Sequence, residues 1–162
     1  MTTKIERLSV ISHNSFTYIV SSSPNHNCIE YYKDLLLYHE ITTVIRLCYE
    51  IEYDDNYLIK YGITVIDLPI EDGSVPNSYM LEKWINTIKL EIKKNKKGIA
   101  VHCISGLGRS PLFTCIGLII IEKIEPTDAI SIVRKYIPTA LNNKQLLYLY
   151  DLYIPTNKCV IM

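Results

Sequence analysis

The sequence has little that would draw a partner from a distance. Its 17 basic residues are matched by 17 acidic ones. No net field gathers nucleic acid, so any affinity for an anion must come from a local arrangement of groups. No stretch approaches the roughly 18 consecutive apolar residues of a membrane span, and the opening MTTKIERLSV lacks the apolar core of a signal peptide. An intracellular chain is expected. There is no CxxC pair, and the cysteines, Cys28, Cys48, Cys103, Cys115 and Cys159, are odd in number and irregularly spaced. That pattern argues against a zinc site and against a secreted disulfide framework. With only six glycines and seven prolines, and no internal repeat or low-complexity tract, the chain is neither fibrous nor disordered.

What is present is a core for one domain. The 162 residues are 48% hydrophobic, enough for one sizeable core and too few for two. RLSVI and FTYIVSS, joined by the turn-like SHN, predict an opening hairpin. HNCIEYYKDLLLYHE has apolar residues at helical spacing, while TTVIRLC and GITVIDLP are short β-branched runs suited to buried strands. NSYMLEKWINTIKLEIKK predicts a helix starting near Asn77, and GIAVHC a further strand. Three more helices are expected in RSPLFTCIGLIIIEK, in EPTDAISIVRKY with Pro126 in its first turn, and in NKQLLYLYDLY, capped by Asn142 or Asn143. Strands alternating with helices imply an α/β domain over residues 1–153, its central sheet mostly parallel and flanked by helices. Residues 154–162 form a tail.

The chemistry concentrates in VHCISGLGRSP, Val101 to Pro111. Ligands of a parallel sheet bind beyond the carboxyl ends of its strands, and GIAVHC delivers Cys103 to that edge. Gly106 and Gly108 allow a tight turn whose N–H groups point inward, beside the positive end of a helix beginning near Arg109. The same field favours the nucleophilic thiolate. Arg109 adds a planar fork able to hold two phosphate oxygens at once. The loop Ile104, Ser105, Gly106, Leu107 and Gly108 is thus expected to cradle a phosphoryl group that Cys103 attacks. The competing phosphate loops are absent: there is no GxxxxGK followed by Ser or Thr, and GLGRSP lacks the third glycine of a dinucleotide fingerprint.

HCxxGxGRS resembles the active-site signature of protein tyrosine phosphatases, HCxxGxxR followed by Ser or Thr. TTVIRLC, VHCISGLGRSP, NNKQLLYL and the terminal CVIM are similar, in that order, to segments of the phosphatase of regenerating liver family, small prenylated phosphatases of dual-specificity type. The resemblance covers nearly the whole chain. It implies a dual-specificity-like cysteine-phosphatase fold and a cysteinyl-phosphate intermediate, with no metal and no cofactor. It also implies phosphoprotein or phosphoinositide substrates and a CBS-domain magnesium transport mediator as a partner. A module that grips such a partner without turnover is the rival reading. YIPTALNNKQ lacks the arginine-rich segment that vertebrate members carry before the matching helix.

Departure of the substrate oxygen requires a proton from a nearby acid. DLPIEDGSVP offers Asp67, Glu71 and Asp72, and spacing alone does not choose among them. By resemblance Asp72 matches the family's acid, while Leu68 stands where the family usually has tryptophan. Ser110 is suited to donate a hydrogen bond to the departing sulfur. By resemblance, vertebrate members of that family carry alanine at this position, so Ser110 implies more complete turnover than they show. Gln145 resembles the glutamine that orients water in related phosphatases, or is a solvated helix residue. His102 is expected to hold the loop rather than to move protons.

Cys48 ends a parallel strand, at the same pole as Cys103, and could form a disulfide with it under oxidation. The resemblance supports that pairing; the alternative is a buried strand cysteine. Cys28 and Cys115 are expected in the core. CVIM is a prenylation box on Cys159 with Met162 favouring farnesyl. That modification would tether the protein to the cytosolic face of plasma or endosomal membranes. One lipid chain binds weakly, and the tail has no polybasic run. Lys89, Lys93, Lys94, Lys96 and Lys97 either supply that patch or merely form a solvated helix end.

Overall fold

A computed structural model describes residues 4–153. The chain opens with β1 (Leu8–His13) and β2 (Phe16–Ser21), joined at Asn14 and Ser15. Both turn residues have positive φ, 44° and 71°, the requirement of a two-residue turn that follows the twist of its strands. There follow α1 (Ile29–Tyr38), β3 (Thr43–Arg46), α2 (Asp55–Ile59) and β4 (Thr64–Asp67). Then come α3 (Ser78–Lys93), β5 (Gly98–His102), α4 (Arg109–Ile120), α5 (Pro126–Tyr136) and α6 (Asn143–Leu152). The helices and strands expected from the sequence are all present. The one addition among the described residues is α2, a single short helix whose N-cap Asp54 accepts from the Asn56 amide.

The sheet order is β1-β2-β5-β3-β4. Only the β1–β2 pair is antiparallel, so the expectation of a mostly parallel sheet holds. β5 is central and buried along its whole length. Its residues alternate between two cores: Ile99 and Val101 join Trp84, Phe113 and Ile116 on one face, while Ala100 joins Tyr32, Leu36 and Leu58 on the other. α4 is apolar on nearly every side, and all its residues but the last are buried. It lies close to the sheet because Gly117 has no side chain: a Cβ there would stand 2.7 Å from the Tyr18 hydroxyl. Trp84 ties α3 to α4, its indole N–H donating to the Phe113 carbonyl at 2.8 Å. The parallel strands β3, β4 and β5 therefore end together at one edge of the sheet, under the starts of α3, α4 and α6.

Candidate active site

β5 releases the chain into the segment 103–108, and α4 takes it up at Arg109. The Cys103 amide still donates to the Ser21 carbonyl at 3.3 Å, so the nucleophile stays registered on the sheet. Its sulfur is buried and receives the Gly106 N–H at 3.3 Å. Gly106 has φ of 72°, and a Cβ there would lie 2.7 Å from the Ser22 amide nitrogen. Both conditions demand glycine. The buried Ser110 hydroxyl is 3.3 Å from the sulfur and 3.2 Å from the Ser21 carbonyl. It has one proton to share between them.

Arg109 is buried and held from behind, its Nη1 donating to the Ile70 carbonyl at 3.1 Å and lying 3.5 Å from that of Leu47. Its Nε is buried without a hydrogen-bond partner among the described residues. A buried guanidinium with an unused donor in this position is ready for an oxyanion.

The three acid-loop carboxylates separate by position. Asp67 closes β4 and is captured by Arg46: Nε to Oδ1 at 2.5 Å and Nη2 to Oδ2 at 2.9 Å. Arg46 also makes a two-pronged contact with Asp55. Glu71 is exposed, and only its backbone carbonyl is engaged, by the Ser74 amide. Asp72 has its side chain 83% exposed, with Oδ1 3.5 Å from Arg109 Nε. It alone of the three reaches the arginine of the phosphate loop. Leu68 is buried beneath the loop as part of the core.

Gln145 is fully buried, not solvated. Its Oε1 accepts from the Asn142 amide at 3.0 Å and its Nε2 donates to the Ser74 carbonyl at 3.2 Å. Asn142 is matched to it, Oδ1 accepting from the Gln145 amide and Nδ2 donating to the Gly73 carbonyl. A cavity of about 350 Å³ opens between acid loop and phosphate loop, lined by Asp72, Gly73, Ser105, Gly108, Asn142 and Gln145 among others.

His102 is buried, its Nε2 paired with the Tyr53 hydroxyl at 2.8 Å. Burial first, and then the Arg46 guanidinium, pull its pKa down to about 3. It is neutral and structural at physiological pH. Burial pushes the Cys48 thiol up to about 11; Arg109 opposes that rise and Cys103 adds to it. Cys28 and Cys115 are buried in the two cores. Cys159 lies outside the described residues. The sequence reading passed over Tyr53, Arg46, Asn142 as a loop tether, and Arg7, whose Nη1 donates to the Ser105 carbonyl at 3.2 Å. These pairings span from 21 to 98 residues of chain and leave no local pattern.

Comparison with known proteins agrees with this geometry. A family model described as "Polymorphic toxin system, DSP-PTPase phosphatase" matches residues 22–124. Mouse protein tyrosine phosphatase type IVA 3 is 34% identical over 140 residues, 86% of this chain and 80% of the relative. The PRL-1 phosphatase of Drosophila melanogaster is 31% identical over 141 residues, 86% of this chain and 79% of the relative. Among solved structures, a protein tyrosine phosphatase from Leishmania major covers 89% of this chain and 96% of its own, with a TM-score of 0.77 and 23% identity. Kinase associated phosphatase covers 93% and 95%, with a TM-score of 0.74 and 22% identity. Those two show a shared fold. With identity of about a third to named type IVA enzymes over most of its length, the chain belongs to the phosphatase of regenerating liver family and is a protein tyrosine phosphatase.

Proposed function

We propose that the protein hydrolyses phosphoprotein monoesters through a cysteinyl-phosphate on Cys103. The observation that carries this reading is the meeting, at one sulfur, of the Gly106 N–H and the Ser110 hydroxyl, with the Nε of Arg109 alongside, in ion-pair range of Asp72 but without a hydrogen bond among the described residues. The Cys103 thiolate attacks phosphorus; Arg109 and the loop amides of residues 104–108 hold the three equatorial oxygens. As the P–O bond to substrate breaks, Asp72, protonated, gives its proton to the leaving oxygen. Water then attacks phosphorus, Asp72 takes one of its protons, and the P–S bond breaks. Ser110 donates to the departing thiolate, and inorganic phosphate is released. Gln145, beside Gly108, would orient that water after letting go of Ser74.

The test is turnover of an aryl phosphate, a phosphotyrosyl peptide and a soluble phosphoinositide by purified protein and by Cys103→Ser. Peptide turnover that vanishes in Cys103→Ser is expected. A phosphoinositide turned over faster than the peptide would change the substrate class. Negligible wild-type turnover with tight capture of a magnesium transport mediator would replace the enzyme by a binding module.

The second part of the reading is tethering by farnesylation of Cys159 to a cytosolic membrane face. Two features support it. α6 starts against the acid loop and runs away from it, and the lysine run at the end of α3 sits beside the β1–β2 hairpin, where the Thr17 amide donates to the Lys97 carbonyl. The end of α6 and the lysines then share the pole opposite the catalytic loop. Neutralising Lys93, Lys94, Lys96 and Lys97 together should weaken binding of the farnesylated protein to anionic vesicles. Unchanged affinity would leave them a solvated helix end.

The third part is redox control. Peroxide converts the Cys103 thiolate to a sulfenic acid; the Cys48 sulfur attacks that sulfur, a disulfide forms and water leaves. The Leu47 amide donates to the His102 carbonyl at 2.9 Å, which lays the segments carrying Cys48 and Cys103 side by side and supports it. Cys48→Ser should make peroxide inactivation harder to reverse by thiols, and identical recovery would return Cys48 to the core.

A further inference from the structure

The phosphate loop raises a question that its own residues do not answer: what turns its amides inward? A trans peptide points its C=O and the following N–H in opposite directions. Fixing a carbonyl outward therefore fixes the next amide inward. Three carbonyls of the loop are fixed in this way. Ile104 O accepts from the Ser23 amide at 3.1 Å, Leu107 O from the Leu141 amide at 2.9 Å, and Ser105 O from Arg7 Nη1 at 3.2 Å. The amides so aimed belong to Ser105, Gly108 and Gly106. For Gly106 the result is visible, because its N–H reaches the Cys103 sulfur at 3.3 Å.

Two of the three outward contacts come from backbone amides, which are neutral. The third comes from a cation. A guanidinium on the carbonyl of the Ser105–Gly106 peptide polarises that peptide, strengthening the N–H at its other end. Arg7 is itself well anchored at the start of the hairpin: its amide donates to Ser22 Oγ at 3.0 Å and its carbonyl accepts from the Ser22 amide at 2.9 Å. Ser22 is also the residue against which Gly106 packs. Nη1 additionally contacts Glu6 Oε1 at 3.0 Å, which orients the guanidinium and offsets part of its field. The Arg7 side chain is 40% exposed, so its effect is moderated by solvent.

We propose that Arg7 is a positioning residue of the phosphate loop, holding the Gly106 N–H on the nucleophilic sulfur and on the oxyanion of the transition state through the Ser105 carbonyl. The inference rests on the phosphatase reading above.

The test uses Arg7→Met, which keeps an unbranched apolar stem without donor or charge, and Arg7→Lys, which keeps both donor and charge. Turnover of an aryl phosphate, inhibition by vanadate and the thermal unfolding midpoint are measured for each. Arg7→Met should lower kcat and weaken vanadate inhibition by about three- to tenfold, the scale of one partly solvated charge-assisted hydrogen bond. KM should change little. Removal of a direct oxyanion donor would cost about a hundredfold or more, so a loss of that size would overturn the indirect role. Arg7→Lys should recover most of the loss. A Met variant indistinguishable from wild type overturns the proposal, as does a Lys variant equally impaired, which would make Arg7 a packing element. Wild-type protein without turnover would instead remove the phosphatase reading itself.

Discussion

The phosphate loop and the acid loop face each other across one cavity and are built on opposite principles. Residues 103–109 are buried or half-buried, with carbonyls fixed by the Ser23 amide just after β2, by Arg7 just before β1 and by the Leu141 amide before α6. Residues 71–74 are held chiefly by two side-chain amides from α6, and Asp72 projects into solvent. The nucleophile thus sits in a preformed cradle, while the acid is an exposed side chain on a loop with fewer anchors. The difference suits the chemistry, since the cradle must match charge developing on phosphorus and the acid must follow leaving groups of different shape.

The largest expected effect comes from the acid loop. Asp72→Asn should slow cleavage of poor leaving groups by about a hundred- to a thousandfold, and good ones far less, because only the former need the proton. Rates against a series of aryl phosphates check this. Equal slowing across the series would move the acid to Glu71.

Beneath the fixed side lies His102. Its folded pKa of about 3 lies below the ordinary histidine value of 6.5. Between those values the unfolded chain binds the extra proton, so stability is full above pH 6.5 and falls as pH drops toward 3. The slope approaches about 1.4 kcal/mol per pH unit, or about 2 kcal/mol between pH 6.5 and 5. Urea unfolding at a series of pH values measures it, and His102→Gln should flatten that part of the profile. A parallel profile in the variant would assign the acid sensitivity to other groups.

Ser110→Ala tests the cradle in the second step. Loss of one hydrogen bond to the departing sulfur should slow dephosphorylation by about tenfold, with a burst and a trapped phosphoenzyme visible by mass spectrometry. An unchanged steady state would take Ser110 out of the mechanism.

The smallest effect should come from Asn142→Asp. The oxygen that caps α6 remains, and a negative charge at a helix start is tolerated. The donor to the Gly73 carbonyl is lost and a carboxylate oxygen takes its place beside that carbonyl. The unfolding midpoint should hold, while turnover of poor leaving groups shifts by about two- to threefold, the value of one exposed hydrogen bond. A fall in stability without a change in turnover would make this contact structural.

The same contrast explains what was legible in the sequence. Strand and helix identities followed from short β-branched runs and helical spacing, and the phosphate loop from its contiguous residues, all within one turn of chain. α2 was missed because five residues show no periodicity. The choice among Asp67, Glu71 and Asp72 could not be made from spacing, since it depends on Arg46, 21 residues earlier, drawing Asp67 aside. Gln145 was readable as a helix residue, but its burial against Ser74, 71 residues away, was not. Arg7 gave no signal, being one arginine in an exposed-looking run 98 residues from the carbonyl it meets.

Gly117 carries no chemistry, yet it sets a tolerance for the reaction. The fully buried Tyr18 ring rests directly on the backbone of α4 there, so any side chain at position 117 would have to displace that ring or the helix. Arg109 stands eight residues up the same rod, about 12 Å along its axis. A single methyl group at position 117 would wedge the rod off its bearing and tilt the far end, where the guanidinium must meet a phosphoryl group to within a fraction of an ångström. Alignment of the fork is thus machined at a site that no substrate touches.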